Sequence, residues 1–135
     1  MLTRNRKGME MVEAVVTLPI ALFVLVAIVN LGFALYALQA VQNAANYGAR
    51  MGSVAQDCRS CAAYAAALAQ IRQTAVRNSA AQILAPGGVV GSTLRIKVTG
   101  EVPNLMGPLL ALLGGPDLGG PIQVAGEASF RAEGW

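Results

Sequence analysis

Cys58 and Cys61 are the residues whose type and spacing come nearest to a chemical site in this chain. A C-x-x-C pair can serve as a redox couple, as half of a zinc site or as a local disulfide. A thioredoxin-like couple needs a surrounding βαβ pattern, which is missing here, and a zinc site needs a second pair of ligands that the sequence does not supply. The remaining residues offer little reactivity. There is no histidine, so the commonest general base is absent, and no serine sits in a nucleophile motif. Asp57, Glu101, Asp117, Glu127 and Glu133 are too dispersed to form a carboxylate pair or a metal cluster. The sequence predicts a protein that is not an enzyme and that uses no metal and no cofactor.

Charge excludes another class of function. The balance of ten basic and seven acidic residues gives +3, but Arg4, Arg6 and Lys7 sit in the first few positions, and without these three the basic count equals the acidic seven. A neutral remainder gives no reason to expect a nucleic-acid partner.

The leader cations do their work through the element that follows them. Ala14 through Leu38 carries no charge, and at ~1.5 Å per helical residue this run exceeds the ~30 Å hydrocarbon core of a bilayer. A transmembrane segment is predicted over 14–38. No basic residue follows closely after Leu38 to balance Arg4, Arg6 and Lys7, so the leader stays cytoplasmic and the bulk of the chain lies outside. A secretory signal peptide has an apolar core of ~7–15 residues ending in a small-x-small site. This run is longer, and Leu38-Gln39-Ala40 puts leucine where a small residue is wanted. In an oxidising compartment the even cysteine count favours a Cys58–Cys61 disulfide, whose short loop would pin the turn between two helices.

Past the membrane, Gln39 to Ser53 has no proline and is rich in alanine, so the helix is expected to continue. Ala40, Ala44, Gly48 and Gly52 recur every fourth position and form a small-residue ridge that another helix could approach closely, from the same chain or from a neighbouring subunit. Within the span, Pro19 removes one helical hydrogen bond, and Asn30 places an amide in hydrocarbon, where it seeks a partner across a helix interface. The expected organisation is a basic leader over 1–8, an N-terminal helix over 9–53 and a small extracytoplasmic head over 54–135.

Ala62 to Leu84 reads as a second helix, with Tyr64, Leu68, Ile71, Ala75 and Ile83 on one face and Pro86-Gly87-Gly88 ending it. Two half-buried strands follow. Leu94, Ile96 and Val98 alternate with polar residues in the first, and Ile122, Val124, Ala128 and Phe130 do so in the second. Antiparallel pairing would bring Glu127 near Arg95 or Lys97. Between the strands, Pro103 to Pro121 is too long and apolar for an ordinary hairpin loop. A short helix from about Pro108 to Leu113 could tuck into the head, or the segment could form an exposed apolar patch for a partner or the bilayer surface. The fold class is α+β: a long membrane-spanning helix, a second helix and a small antiparallel β head.

Gly8, Met9 and Glu13 gain meaning from a resemblance. A glycine followed five residues later by a glutamate, at the cytoplasmic mouth of an N-terminal membrane helix, resembles the processing site of type IV pilins and pseudopilins. That resemblance implies cleavage between Gly8 and Met9 by a prepilin peptidase, with Glu13, fifth in the mature chain, serving assembly. Val12-Glu13-Ala14 followed by Pro19 further resembles the TadE-like proteins of the tight-adherence pilus system. Asn43-Ala44-Ala45-Asn46-Tyr47-Gly48-Ala49-Arg50 resembles that family's Asn-Ala-Ala-Arg-x-Gly-Ala-Arg stretch, with Asn46 in place of arginine. Ala128 through Glu133 resembles its usual Arg-x-Glu ending. Glu10 is an unusual second mature residue, and Asn30 stands where the family often has glutamate. The resemblance implies a pseudopilin or minor pilin in the cytoplasmic membrane. Its partners would be the prepilin peptidase, other pilus subunits including a TadF-like pseudopilin, and the membrane itself.

Overall fold

The computed structural model describes residues 6–116 and 119–133, the side chains of 6–10 excepted. Six elements follow one another: α1 (Arg6–Val54), α2 (Arg59–Arg72), β1 (Arg77–Pro86), β2 (Thr93–Val102), α3 (Met106–Leu112) and β3 (Ile122–Arg131). The fold is α+β. The chain forms two compact units, one of Met1–Gly32 with Asn104–Gly119, the other of Phe33–Pro103 with Gly120–Trp135, and α1 contributes to both.

In the unit starting at Phe33, the strands form an antiparallel sheet in the order β1-β2-β3. Leu94, Ile96 and Val98 of the central strand are fully buried in a core shared with Val41, Ala44 and Ala45 of α1 and with Ala63, Ala67 and Ile71 of α2. The alternation read from β2 therefore marks its core face. Lys97 is the register partner of Glu127, while the ion pair on the outer side runs diagonally from Arg95 to Glu127. Both side chains are well exposed, so solvent limits this contact to under ~1 kcal/mol.

The helix expected over Ala62–Leu84 is half strand. α2 stops at Arg72, the Thr74 hydroxyl donates to the Ile71 carbonyl at 2.6 Å, and from Arg77 the chain runs as β1 beside β2. The sheet thus has three strands where the sequence suggested two, and Pro86-Gly87 ends a strand instead of a helix. Alanine is a good helix former, but the preference is worth only tenths of a kcal/mol per residue against most alternatives, and ladder pairing with β2 overrides it. The price of this conversion shows at Asn78, which adopts φ +46° beside an irregularity in pairing between Arg77 and Ala80.

The expected face of α2 is borne out at Ile71, which is fully buried, and at Leu68, which packs against the core, but not at Tyr64. Ala63, Ala67 and Ile71 point inward, whereas Tyr64 is 45% exposed. Small residues win because the helix they meet carries glycines.

Candidate functional site

The first part of α1 presents apolar surface that its own chain does not cover. Met11, Val15, Leu18, Ile20, Leu25 and Ile28 are all more than half exposed, and the most apolar stretch is not buried anywhere along its length. Such a surface on a helix of 49 residues is long enough to cross a membrane and needs lipid or other helices around it. Pro19 lies within this helix. Glu13 is exposed near its start. Gly8, Met9 and Glu10 belong to the helical backbone, but the side chains of Met9 and Glu10, and leader residues 1–5 with Arg4, lie outside the described residues.

Asn30 is the polar exception and is buried. Its Nδ2 donates to Asn104 Oδ1 at 3.1 Å, and its Oδ1 accepts the Leu105 N–H at 3.1 Å. Asn104 Oδ1 also accepts the Met106 N–H at 3.0 Å. The sequence pointed to a partner across a helix interface, and the structure supplies one from the loop before α3 of the same chain. Both halves of the amide are thereby satisfied, which matters most where water is scarce. Nothing in the sequence pattern joined Asn104 to Asn30.

The small-residue ridge packs inside the chain. Ala40 and Ala44 are buried. A Cβ added at Gly48 would stand 2.7 Å from both Ala63 O and Ala67 Cβ, and one at Gly52 would stand 2.6 Å from Ala63 Cβ and 2.8 Å from Arg59 O. The glycines are thus the reason α1 and α2 can approach so closely.

Two residues not singled out from the sequence fasten α1 to β3. Gln42 Nε2 donates to the Glu127 carbonyl at 2.8 Å, while its Oε1 accepts the Glu127 N–H, so one side-chain amide acts as a short stretch of strand edge. Gly126 lies so near the helix that a Cβ there would be 2.6 Å from Gln42 N. A glycine inside an alternating strand is itself a signal of close backbone approach.

Cys58 and Cys61 are bonded to each other, with Cα atoms 5.2 Å apart, at the start of α2. Between them, Arg59 donates to the carbonyls of Gly88 and Glu133 at 3.2 and 3.1 Å. The turn is therefore tied to the β1–β2 connection and to the end of β3. Among the described residues no three metal-ligating side chains gather.

No curated protein and no solved structure matches the chain. Residues 8–50 match the family model described as TadE-like protein. The matched segment spans Gly8, Glu13, the uncovered apolar surface, Asn30 and the ridge as far as Gly48. Over this N-terminal helix, about a third of the chain, the sequence is similar to the TadE-like family.

Proposed function

We propose that this chain is a minor pilin or pseudopilin that takes part in assembling a tight-adherence pilus and catalyses no reaction itself. The observation that carries the reading is the TadE-like match lying on a helix whose apolar surface remains uncovered by its own chain. In the precursor, lipid covers that surface and the cationic leader holds the N-terminus in the cytoplasm. Cleavage after Gly8 by a prepilin peptidase frees the amine of Met9. Glu13 then pairs with such an amine on a neighbouring subunit, because a carboxylate buried among apolar helices is costly without a partner and so selects the register that supplies one. The head remains outside the cytoplasmic membrane, where Cys58 and Cys61 can be oxidised. Other pilus subunits, a TadF-like pseudopilin among them, are the partners of this assembly.

Intact mass of the membrane-extracted protein tests this reading. A chain starting at Met9 is expected in cells with an active prepilin peptidase. Full-length protein there would favour an unprocessed bitopic scaffold. A start between Gln39 and Asn46 would mean an exported binding protein cut by ordinary signal peptidase. The buried positions of Ala37, Val41, Ala44 and Ala45 speak against that last alternative, since such a cut would remove or fray the helix on which the sheet packs.

A further inference from the structure

The sequence allows the apolar segment around α3 two roles, and its geometry favours one at the membrane. From Pro103 to Pro116 there is no charged residue. Leu112 is 82% exposed and Leu113 59%. In water such a surface would be a liability, yet the backbone of this short helix is closed at both ends. At its start, the Leu105 and Met106 N–H groups are accepted by the side chains of Asn30 and Asn104. At its end, the Gly115 N–H donates to the Leu110 carbonyl at 2.8 Å and the Gly114 N–H to the Ala111 carbonyl at 3.1 Å, with Gly114 at φ +78°. This paired C-terminal closure gives the Leu110 and Ala111 carbonyls backbone partners in place of water. Apolar side chains outside with backbone groups satisfied inside are what hydrocarbon demands of any segment that touches it.

The clamp also fixes depth. Asn30 lies roughly 25 Å along the helix from Glu13, in a hydrocarbon layer of ~30 Å. With Glu13 at the cytoplasmic edge, α3 is pinned at the level where the outer leaflet's acyl chains meet its headgroups. Near Asn30, Ile28 and Leu31 of α1 are also 66% and 60% exposed, so the helix is apolar on its outside at the level of the clamp. We propose that α3 is a lipid-binding wedge, seated in the outer leaflet of the same membrane that α1 crosses, with Leu112 and Leu113 among the acyl chains. This rests on the reading of α1 as a membrane-spanning helix.

The test uses the full chain alone in phosphatidylcholine vesicles, so that no pilus partner can cover the segment. Leu112→Cys, Ile20→Cys and Ser129→Cys variants each carry one environment-sensitive label, and quenching is compared between lipids brominated near the headgroup end of the chain and aqueous iodide. The Leu112 label is expected to be quenched severalfold more by bromolipid, and severalfold less by iodide, than the label at Ser129 on the exposed side of β3. Equal iodide quenching at Leu112 and Ser129 would overturn the proposal. Protection of Leu112 from both quenchers would overturn it too, by showing that a second copy or the chain itself covers α3. Ile20 separates the two levels of the argument: bromolipid quenching there with none at Leu112 sinks the wedge alone, and none at Ile20 sinks the spanning helix with it.

Discussion

Replacing Gly48 by alanine tests whether the small-residue ridge serves the chain's own fold. The substitution adds one methyl group to α1. Its carbon would sit 2.7 Å from Ala67 Cβ and 2.7 Å from Ala63 O, against an ordinary contact of ~3.5–4.0 Å, so α1 and α2 must separate by about 1 Å. Such overpacking costs ~1–3 kcal/mol. Alanine's better helix propensity returns ~1 kcal/mol, leaving a net loss of about 0–2 kcal/mol. At ~4–8 °C per kcal/mol for a unit of this size, the melting temperature should fall by up to roughly 15 °C. Thermal unfolding of the purified chain in detergent, followed by far-ultraviolet circular dichroism with no partner present, measures this directly. Gly88→Ala is the control, because a Cβ there meets nothing within 4 Å, and it should melt at or slightly above the parent. A Gly48→Ala chain that melts like the parent on its own but no longer co-purifies with other pilus subunits would refute the reasoning, since the ridge would then face outward.

Three further outcomes are expected. Glu13→Gln should abolish or strongly reduce piliation at matched protein levels while Glu10→Gln leaves it intact; normal piliation with Glu13→Gln would remove the electrostatic role. Protein isolated without reductant should show no alkylatable thiol, and the Cys58→Ser, Cys61→Ser double variant should lose about 2 kcal/mol of head stability by the loop-entropy relation for so short a loop, readable by the same melting experiment. Asn30→Ala should speed hydrogen exchange at the Leu105 amide, which loses its acceptor, without changing exchange in β2; unchanged exchange at Leu105 would mean that the amide is held by something other than Asn30.

The parts of this fold that could be read from sequence are those whose pattern is local. An uncharged run needs no partner to identify it, so α1 was legible almost to its end at Val54. The strict alternation of Leu94, Ile96 and Val98 likewise carries its own period. β1 was not legible, because Ala80 and Ala81 suit a helix at least as well as a strand and only pairing with Val98 and Thr99 decides between them. The inward face of α2 is legible at Leu68 and Ile71 but not at Tyr64, for a related reason: bulk suggests Tyr64, whereas the glycines of α1 admit only alanines opposite them. At the candidate site, Glu13 and the ridge were visible as residue types at a spacing. Asn104 and Gln42 were not, since each acts on a residue far away in sequence and neither breaks any local rule.

The bond between Gln42 and the backbone of Glu127 spans most of the chain, and it sets an order of events during biogenesis. α1 is synthesised before β3, so the Gln42 amide, and the helix backbone that Gly126 approaches, must wait for their partner through the making of everything between them. Closure over such a sequence separation is slow, and the waiting surface is open to wrong association in the meantime. The unit starting at Phe33 can therefore reach its native packing only after strand β3 has joined the helix it fastens. An interruption before residue 122 would leave β2 with an unpaired edge and Gln42 without the Glu127 backbone, a surface open to wrong strand pairing. Arrival of β3 is in this way a precondition for a complete sheet, and chains that stop before it are distinguishable from finished ones by the open edge of β2.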